Sequence, residues 1–167
     1  MFGWFGVFWA AAGVCGMLLY AIVRLAPKAW TAYSMGLSPM QWAITAGFIV
    51  FMAYTEGYRG FQQKFSPRTA ARVRFLKNRP TALRVIFAPL FAMGYFQATK
   101  RVKALAYGVF FGVTILVIAI QWLNQPWRGI VDIGVIVGLS WGLLSLLYFI
   151  GLAVTRERFD ISPEVPD

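Results

Sequence analysis

Polar and apolar positions in this chain are segregated into long blocks instead of alternating with the short period of a soluble helix or strand. Four blocks are apolar over 15 to 25 residues and almost free of charge. A helix rises about 1.5 Å per residue, so roughly 20 apolar residues cross the hydrocarbon core of a bilayer. The pattern therefore predicts an all-α membrane protein with four transmembrane helices, at about residues 2–23, 38–56, 104–123 and 130–154.

The second predicted span is the shortest, because its apolar core covers only Met40–Tyr54. Ser38 and Pro39 precede this core and extend it. Serine is a preferred residue immediately before a helix, and proline is preferred at the first helical position. The sequence therefore predicts a helix that begins at this Ser-Pro pair.

A fifth apolar block, Val85–Phe96, is too short and too irregular to span a membrane. Its twelve residues would cover about 18 Å as a helix, well short of a core of roughly 30 Å. Pro89 also removes a backbone hydrogen bond from the interior of this block, and Gly94 lies close to its end. We therefore predict that residues 85–99 form a short re-entrant or interfacial segment.

Lysine and arginine are divided unevenly between the loops that this threading creates. Of the 16 basic residues, only Arg24, Lys28 and Arg128 lie on one side of the membrane, and the other 13 lie opposite. If Val85–Phe96 also crossed, the division would be 9 to 7. Loops on the cytoplasmic side carry an excess of Lys and Arg. The charges favour four crossings with both termini cytoplasmic, and we expect a bacterial inner membrane, with an organellar membrane as the alternative.

The composition agrees with a single integral membrane domain over residues 1–167. Hydrophobic residues make up 59% of the chain and charged residues 13%, and the mean hydropathy is +0.64. The net charge of +10 raises the question of nucleic-acid binding. Because the basic residues adjoin apolar spans, where anionic lipid headgroups lie, we expect membrane lipids as partners and no nucleic acid.

A basic loop at residues 57–84 is the main feature outside the spans, and a tail at 155–167 follows the last span. Ser66 as cap and Pro67 as first residue predict a helix over Pro67–Arg79. Its basic and apolar faces are typical of a cytoplasmic interfacial helix on an anionic leaflet. The alternative is that these charges only set the orientation of the spans. The candidate residues for binding lipid or a partner are Arg59, Lys64, Arg68, Arg72, Arg74, Lys77, Arg79, Arg84, Lys100, Arg101 and Lys103.

Small residues recur at helical spacing in the last two predicted spans. Close backbone approach holds helices together in lipid, so each stripe predicts a packing surface. We expect the two stripes to face one another within the chain, since the linker between the spans is short; the rival is contact with a second copy. Trp141 shares this face, and Ser140 or Ser145 is the expected partner of its indole N–H. The stripes are Ala104, Gly108 and Gly112 in one span and Gly134, Gly138 and Gly142 in the other.

Two carboxylates, Glu56 and Asp132, lie at the predicted membrane boundaries. Carboxylates within membranes are costly and are usually functional. A basic residue is near each of them, Arg59 for Glu56 and Arg128 for Asp132. We expect interfacial ion pairs, with ion or proton binding as the alternative.

The residue types present exclude several kinds of chemistry. The chain has no histidine and one cysteine, Cys15. This excludes bis-His haem, His-containing metal sites and catalytic triads, and it excludes a disulfide within the chain. Phosphate-binding and nucleophile-elbow glycine motifs are also absent from the sequence. We predict no catalytic residue, no cofactor and no metal site.

The expected function is that of a non-catalytic polytopic membrane protein, an accessory or assembly subunit that engages anionic lipid or a membrane partner through a basic cytoplasmic face. The partner is another membrane protein or a second copy of the chain. One alternative is a small transporter or channel that uses Asp132 or Glu56, with Val85–Phe96 as a gate. The other is an enzyme acting on lipid headgroups, with Glu56 as the base.

Overall fold

The computed structural model describes residues 2–156 and 158–166, and all regular secondary structure in these ranges is helical. The predicted all-α class is therefore confirmed. Met1, Glu157 and Asp167 lie outside the described residues, and with them part of the predicted tail 155–167. The elements are α1 (Phe2–Ser34), α2 (Pro39–Met52), a π-helix (Ala53–Phe65), α3 (Ser66–Asn78), α4 (Ala82–Ile86), α5 (Ala88–Met93), α6 (Lys100–Ile120) and α7 (Trp127–Thr155).

Three of these helices, α1, α6 and α7, are long and apolar enough to cross a membrane. The chain is therefore consistent with an integral membrane protein, as predicted. The second predicted span differs from the other three: α2 has only 14 residues, and the helix continues into the more polar π-helix. Helix α2 is too short to span by itself, because the backbone hydrogen bonding changes from α to π at Ala53.

The segments α2, π-helix and α3 form one uninterrupted helical rod over Pro39–Asn78, which we call the central rod. It begins as predicted. The Ser38 side chain accepts from the backbone N–H of Gln41 at 3.3 Å, and the Gln41 side chain accepts from the Ser38 N–H at 2.9 Å. This reciprocal pair is a capping box, which satisfies two N–H groups that a helix start leaves free.

The predicted helix Pro67–Arg79 is present within one residue as α3 (Ser66–Asn78), but the prediction that Ser66 caps it is wrong. Ser66 has helical angles (φ −63°, ψ −45°), and its N–H donates to the Phe61 carbonyl, five residues earlier, as in a π-helix. Pro67 follows at the point where the hydrogen bonding changes from π to α. Proline has no N–H to donate, so the change of pattern at this position loses no additional hydrogen bond.

Helix α7 is the axis of the fold, and α1, α2, the π-helix and α3 all pack along it. The central rod runs in the same direction as α7, since Phe48 lies against Gly134 and Phe61 lies against Gly142. Helix α1 runs in the opposite direction, with its late residue Ala32 against Gly129 at the start of α7. The three long helical segments therefore lie side by side over much of the length of α7.

The predicted contact between the two glycine stripes is wrong. Gly134, Gly138 and Gly142 of α7 pack against the central rod. Gly108 and Gly112 of α6 have no atom of a packed neighbour within 4 Å among the described residues, and Ala104 is exposed. The short linker makes α6 and α7 neighbours in sequence, but the large side chains of the rod already occupy the glycine face of α7.

The buried core lies at one end of the bundle, which we call the basic end: the first half of α1, the second half of α7, and α3 to α5. Here Val85–Phe96 contains the end of α4 and all of α5, and neither helix is long enough to span, as predicted. Pro89 of α5 packs on Gly13 of α1. Helix α5 ends at Gly94 (φ +91°), a conformation that glycine adopts without a steric cost.

Candidate functional site

Arg72 of α3 donates four hydrogen bonds at the basic end. It is 0% exposed, and its guanidinium lies 4.2 Å from the centre of the Phe91 ring. It donates to the Phe91 carbonyl at 2.6 Å and to the carbonyls of Phe96, Gln97 and Pro163 at 2.9 to 3.0 Å. Arg72 was predicted to bind lipid or a partner, but it is buried and its donors are engaged within the chain, so that prediction is wrong.

The charge of Arg72 is retained despite its burial. An arginine side chain is not deprotonated in proteins, and the negative charge of Glu164 favours its positive charge here. A protonated arginine has five N–H donors in a planar fork, which suits it to collecting several carbonyls at once.

Two further basic residues of α3 cap the end of α7. Arg74 donates to the carbonyls of Ala153 and Arg156, and Lys77 donates to the Val154 carbonyl at 3.2 Å. The last carbonyls of a helix lack partners within the helix, and cations are stabilising there. These two predicted lipid-binding residues therefore also have structural roles. Lys77 in addition lies 4.3 Å from the Trp4 ring of α1.

The C-terminal tail returns across the basic end. Thr99, which caps α6, donates its N–H to the Glu164 carbonyl at 3.1 Å and its hydroxyl to the Glu164 carboxylate at 3.4 Å. Phe159 and Val165 pack against the buried core. With the Arg72–Pro163 bond, these contacts attach the tail to α3 and α6.

The other predicted basic residues retain more access to their surroundings. Arg84 is half-buried and bonds to the Gln97 side chain at 2.5 Å, and Arg68 and Lys103 are also half-buried. The remaining members of the predicted set are exposed. These are Arg59, Lys64, Arg79, Lys100 and Arg101.

Glu56 lies opposite the middle of α7 instead of at its end. A methyl group placed on Gly138 would lie 3.1 Å from Oε2 of Glu56. The next residue, Gly57, fits beneath the Trp141 ring, and Trp141 is the central residue of α7 (Trp127–Thr155). Three residues of helix rise only about 4.5 Å, so the Glu56 carboxylate lies close to the midpoint of α7.

Trp141 has a different partner from the ones that the sequence suggests. Its indole N–H donates to the side-chain carbonyl oxygen of Gln62 at 2.7 Å. Ser140 and Ser145 were the expected partners, and that expectation is wrong. Gln62 and Trp141 are 79 positions apart, so only the packing of the π-helix on α7 brings them together.

A groove of about 630 Å³ lies beside this hydrogen bond, between the π-helix and α7. Gln62 lies on one side, and Ser140, Trp141, Ser145 and Tyr148 belong to the α7 side. Ser145 is 8% exposed, and its hydroxyl has no hydrogen-bonding partner among the described residues. The groove thus combines apolar walls with amide and hydroxyl groups.

Asp132 lies near the first end of α7 and is 2% exposed. The positive charges of Lys28 and Arg128 both act on it. Within the described part of the chain, Oδ2 of Asp132 and Nε of Arg128 have no hydrogen-bonding partner, and no hydrogen bond joins the two side chains. Likewise, no hydrogen bond there joins Glu56 to Arg59. Glu56 and Asp132 therefore occupy separate levels of the bundle.

No family model, curated protein or solved structure matches this chain. Among residues 2–156 and 158–166, no group of three or more His, Cys, Asp or Glu side chains could hold a metal ion.

Proposed function

We propose that this protein is a non-catalytic membrane subunit that associates with a membrane partner through α6 and the outer face of the π-helix. The exposed basic residues at its basic end face the cytoplasm, next to anionic lipid headgroups. The partner is another membrane protein or a second copy of the chain. The observation that supports this proposal is that α6 is apolar and almost unpacked.

Helix α6 is long and apolar but almost unpacked. In its most apolar 18-residue window 0% of the residues are buried, against 22% for α1 and 33% for α7. Its first turns are anchored through Val102 and Ala106, and the rest extends away from the bundle. Small residues favour close helix packing in lipid. The open positions at Gly108 and Gly112 therefore suit a helix from a partner.

The central rod supports four crossings. It runs beside α7 from the level of Gly134, where Phe48 packs, to the level of Val154, which Lys77 caps. If α7 crosses the membrane, the rod between these levels crosses with it. Most exposed basic residues are then at the basic end. Because Lys and Arg are in excess on the cytoplasmic side of membrane proteins, we propose that this end faces the cytoplasm.

The outer face of the π-helix supplies a second argument for a partner. Arg59 and Lys64 flank Gln62, which bonds to the central residue of α7, and both are exposed. Exposed charges at this depth would face hydrocarbon in an isolated molecule, at a cost of several kcal/mol. A partner with acidic or carbonyl groups at this level would remove that cost.

The test is purification from the native membrane in a mild detergent, followed by mass measurement of the intact complex. We expect the wild type to be recovered with a partner chain or as a defined oligomer. Gly112→Leu should dissociate this complex, whereas Gly16→Leu, at another glycine with no close neighbour, should not. Recovery of the wild type only as a monomer would contradict the proposal.

A second candidate function is transport, which the position of Glu56 favours. A carboxylate near the midpoint of α7, in a π-helix that also carries Arg59 and Lys64, is the kind of polar site that lines ion pathways. Flux of protons or small ions through the reconstituted protein, abolished by Glu56→Gln and retained by Gln63→Leu, would favour transport over the subunit proposal.

A further inference from the structure

We infer that a cleft at the end of α7 binds one phosphate group, carried either by a phospholipid headgroup or by a soluble phosphate ester. The cleft lies between the last turns of α3 and α7 and has a volume of about 210 Å³. The inference rests on one part of the proposed function, that α7 crosses the membrane, and it does not depend on the partner of α6. The polar residues that line the cleft are Arg74, Lys77, Asn78, Thr155 and Arg156.

The lining of the cleft is positively charged. Arg74, Lys77 and Arg156 each carry one positive charge, and no acidic residue is present among the described residues that line it. A concave surface whose charges share one sign concentrates ions of the opposite sign. The cleft therefore favours an anion, unlike the groove between the π-helix and α7, whose lining is uncharged.

The carbonyls at the end of α7 would oppose an anion if they were free, because the C-terminal end of a helix is its negative end. Arg74 donates to the carbonyls of Ala153 and Arg156. Lys77 donates to the Val154 carbonyl at 3.2 Å. Because these carbonyls already bond to cationic side chains, they repel an anion in the cleft less than free carbonyls would.

Three side chains of the cleft retain hydrogen-bond donors for an anion. The Lys77 ammonium has three hydrogens, of which the Val154 carbonyl uses one, and it is held 4.3 Å from the centre of the Trp4 ring. The side chains of Asn78 and Arg156 are exposed, and neither makes a hydrogen bond to a described residue. Arginine binds phosphate through two parallel hydrogen bonds and lysine binds it as a point charge. These donors therefore suit phosphate oxygens.

The level of the cleft in the membrane identifies the anion. Helix α7 has 29 residues and is about 43 Å long, or about 40 Å along the membrane normal at a typical tilt of about 20°. The hydrocarbon core is roughly 30 Å thick, and the bilayer with its headgroups is about 40–45 Å thick. The end of α7 therefore reaches the headgroup layer, where phosphate is the common anion.

The size of the cleft agrees with a phosphate group. Its volume of about 210 Å³ is that of about seven water molecules. A phosphate group has five heavy atoms, so it fits into this space. The acyl chains of a bound phospholipid would remain outside the cleft, in the surrounding bilayer.

The test is native mass spectrometry of the full-length protein in a mild detergent, titrated with phosphatidylglycerol. We expect the first lipid on each chain to bind with a lower dissociation constant than any further lipid. Arg156→Gln should raise this constant about tenfold, because it removes a charged donor, and Asn78→Ala about threefold, because it removes a neutral one. The matched controls Arg158→Gln and Gln63→Ala replace exposed residues outside the cleft and should bind like the wild type.

Two further probes identify the source of the phosphate. Diacylglycerol, which has acyl chains but no phosphate, should not occupy the site. Glycerol 3-phosphate has the phosphate but no acyl chains. Weaker binding of glycerol 3-phosphate than of phosphatidylglycerol would support a lipid headgroup as the ligand. Tighter binding, weakened by Arg156→Gln, would support a soluble phosphate ester.

Three outcomes would overturn the inference. The first is that neither phosphatidylglycerol nor glycerol 3-phosphate binds saturably. The second is equal weakening by Arg156→Gln and Arg158→Gln, which would show that only the overall positive charge attracts the anion. The third is equal binding of diacylglycerol and phosphatidylglycerol. Each of these can occur while the partner complex of α6 is intact, whereas a monomeric wild type that binds one lipid would contradict only the proposed function.

Discussion

Replacing Arg72 by methionine tests the structure of the basic end most severely. The methionine side chain fills a similar volume but removes every donor of the guanidinium. The Phe91 carbonyl retains a bond from the Gly94 N–H at 3.0 Å. The carbonyls of Phe96, Gln97 and Pro163 lose the donor that Arg72 provides.

The expected loss follows from these three carbonyls. A buried polar group without a partner costs about 1–3 kcal/mol, and removing one side of a buried charged network costs about 3–5 kcal/mol. The three contacts are only partly buried, so we take the lower part of the summed range. We therefore expect Arg72→Met to reduce the free energy of unfolding by about 3–5 kcal/mol.

The assay is unfolding in mixed micelles with increasing SDS mole fraction, followed by tryptophan fluorescence. Arg79→Met is the matched control, because Arg79 is exposed and its guanidinium lies 5.8 Å from the centre of the Phe75 ring. Arg79→Met should cost less than about 1 kcal/mol. If Arg72→Met and Arg79→Met unfold at the same SDS fraction, the proposed role of Arg72 is refuted.

Two other predictions use the same unfolding assay, and a third uses the mass of the isolated complex. Gly142→Ala should reduce the free energy of unfolding by about 1–3 kcal/mol, because its methyl group would lie 2.5 Å from the Phe61 ring. Gly151→Ala should not reduce it. Equal effects of the two substitutions would contradict the packing of α7 on the π-helix. Glu164→Gln should reduce the free energy of unfolding by about 1 kcal/mol, because an amide accepts a weaker hydrogen bond from Thr99. An unchanged stability would mean that this contact does not stabilise the fold. Glu56→Gln should leave the isolated complex intact if the protein is a subunit, as judged by its mass.

The sequence was sufficient for the features that depend on composition or on neighbouring residues. The apolar blocks predict the helical class and the spanning character of α1, α6 and α7. The Ser-Pro start of α2 was correct because a capping box involves residues only three positions apart. The failure of Val85–Phe96 to form a long helix followed from its length and Pro89.

Features that depend on packing between distant segments could not be predicted. Arg72 has the same local pattern as the exposed arginines, and it is distinguished only by the carbonyls that α5, the loop after α5 and the tail supply. Ser66-Pro67 is a good helix start by local rules, but the rod continues through it because the preceding residues already form a π-helix. Gln62 carried no signal in the sequence, since its partner Trp141 is 79 positions away.

The glycine stripes show the same limit in another form. The α7 stripe marks a face where large side chains approach the backbone, but the spacing of the glycines does not predict which helix approaches. On α7, the side chains that approach the glycines include Phe48 and Phe61 of the central rod. For α6 no neighbour within the described chain fills the space, and this is why we propose a partner.

The account depends most on the central rod crossing the membrane beside α7. The direct measurement is labelling of single cysteines from each side of sealed vesicles, in a Cys15→Ala background, with a membrane-impermeant reagent. Met35→Cys, between α1 and α2, and Asn78→Cys, at the end of α3, are both at exposed positions. We predict that they react from opposite sides, Asn78→Cys from the cytoplasm; reaction of both from the same side would contradict the account.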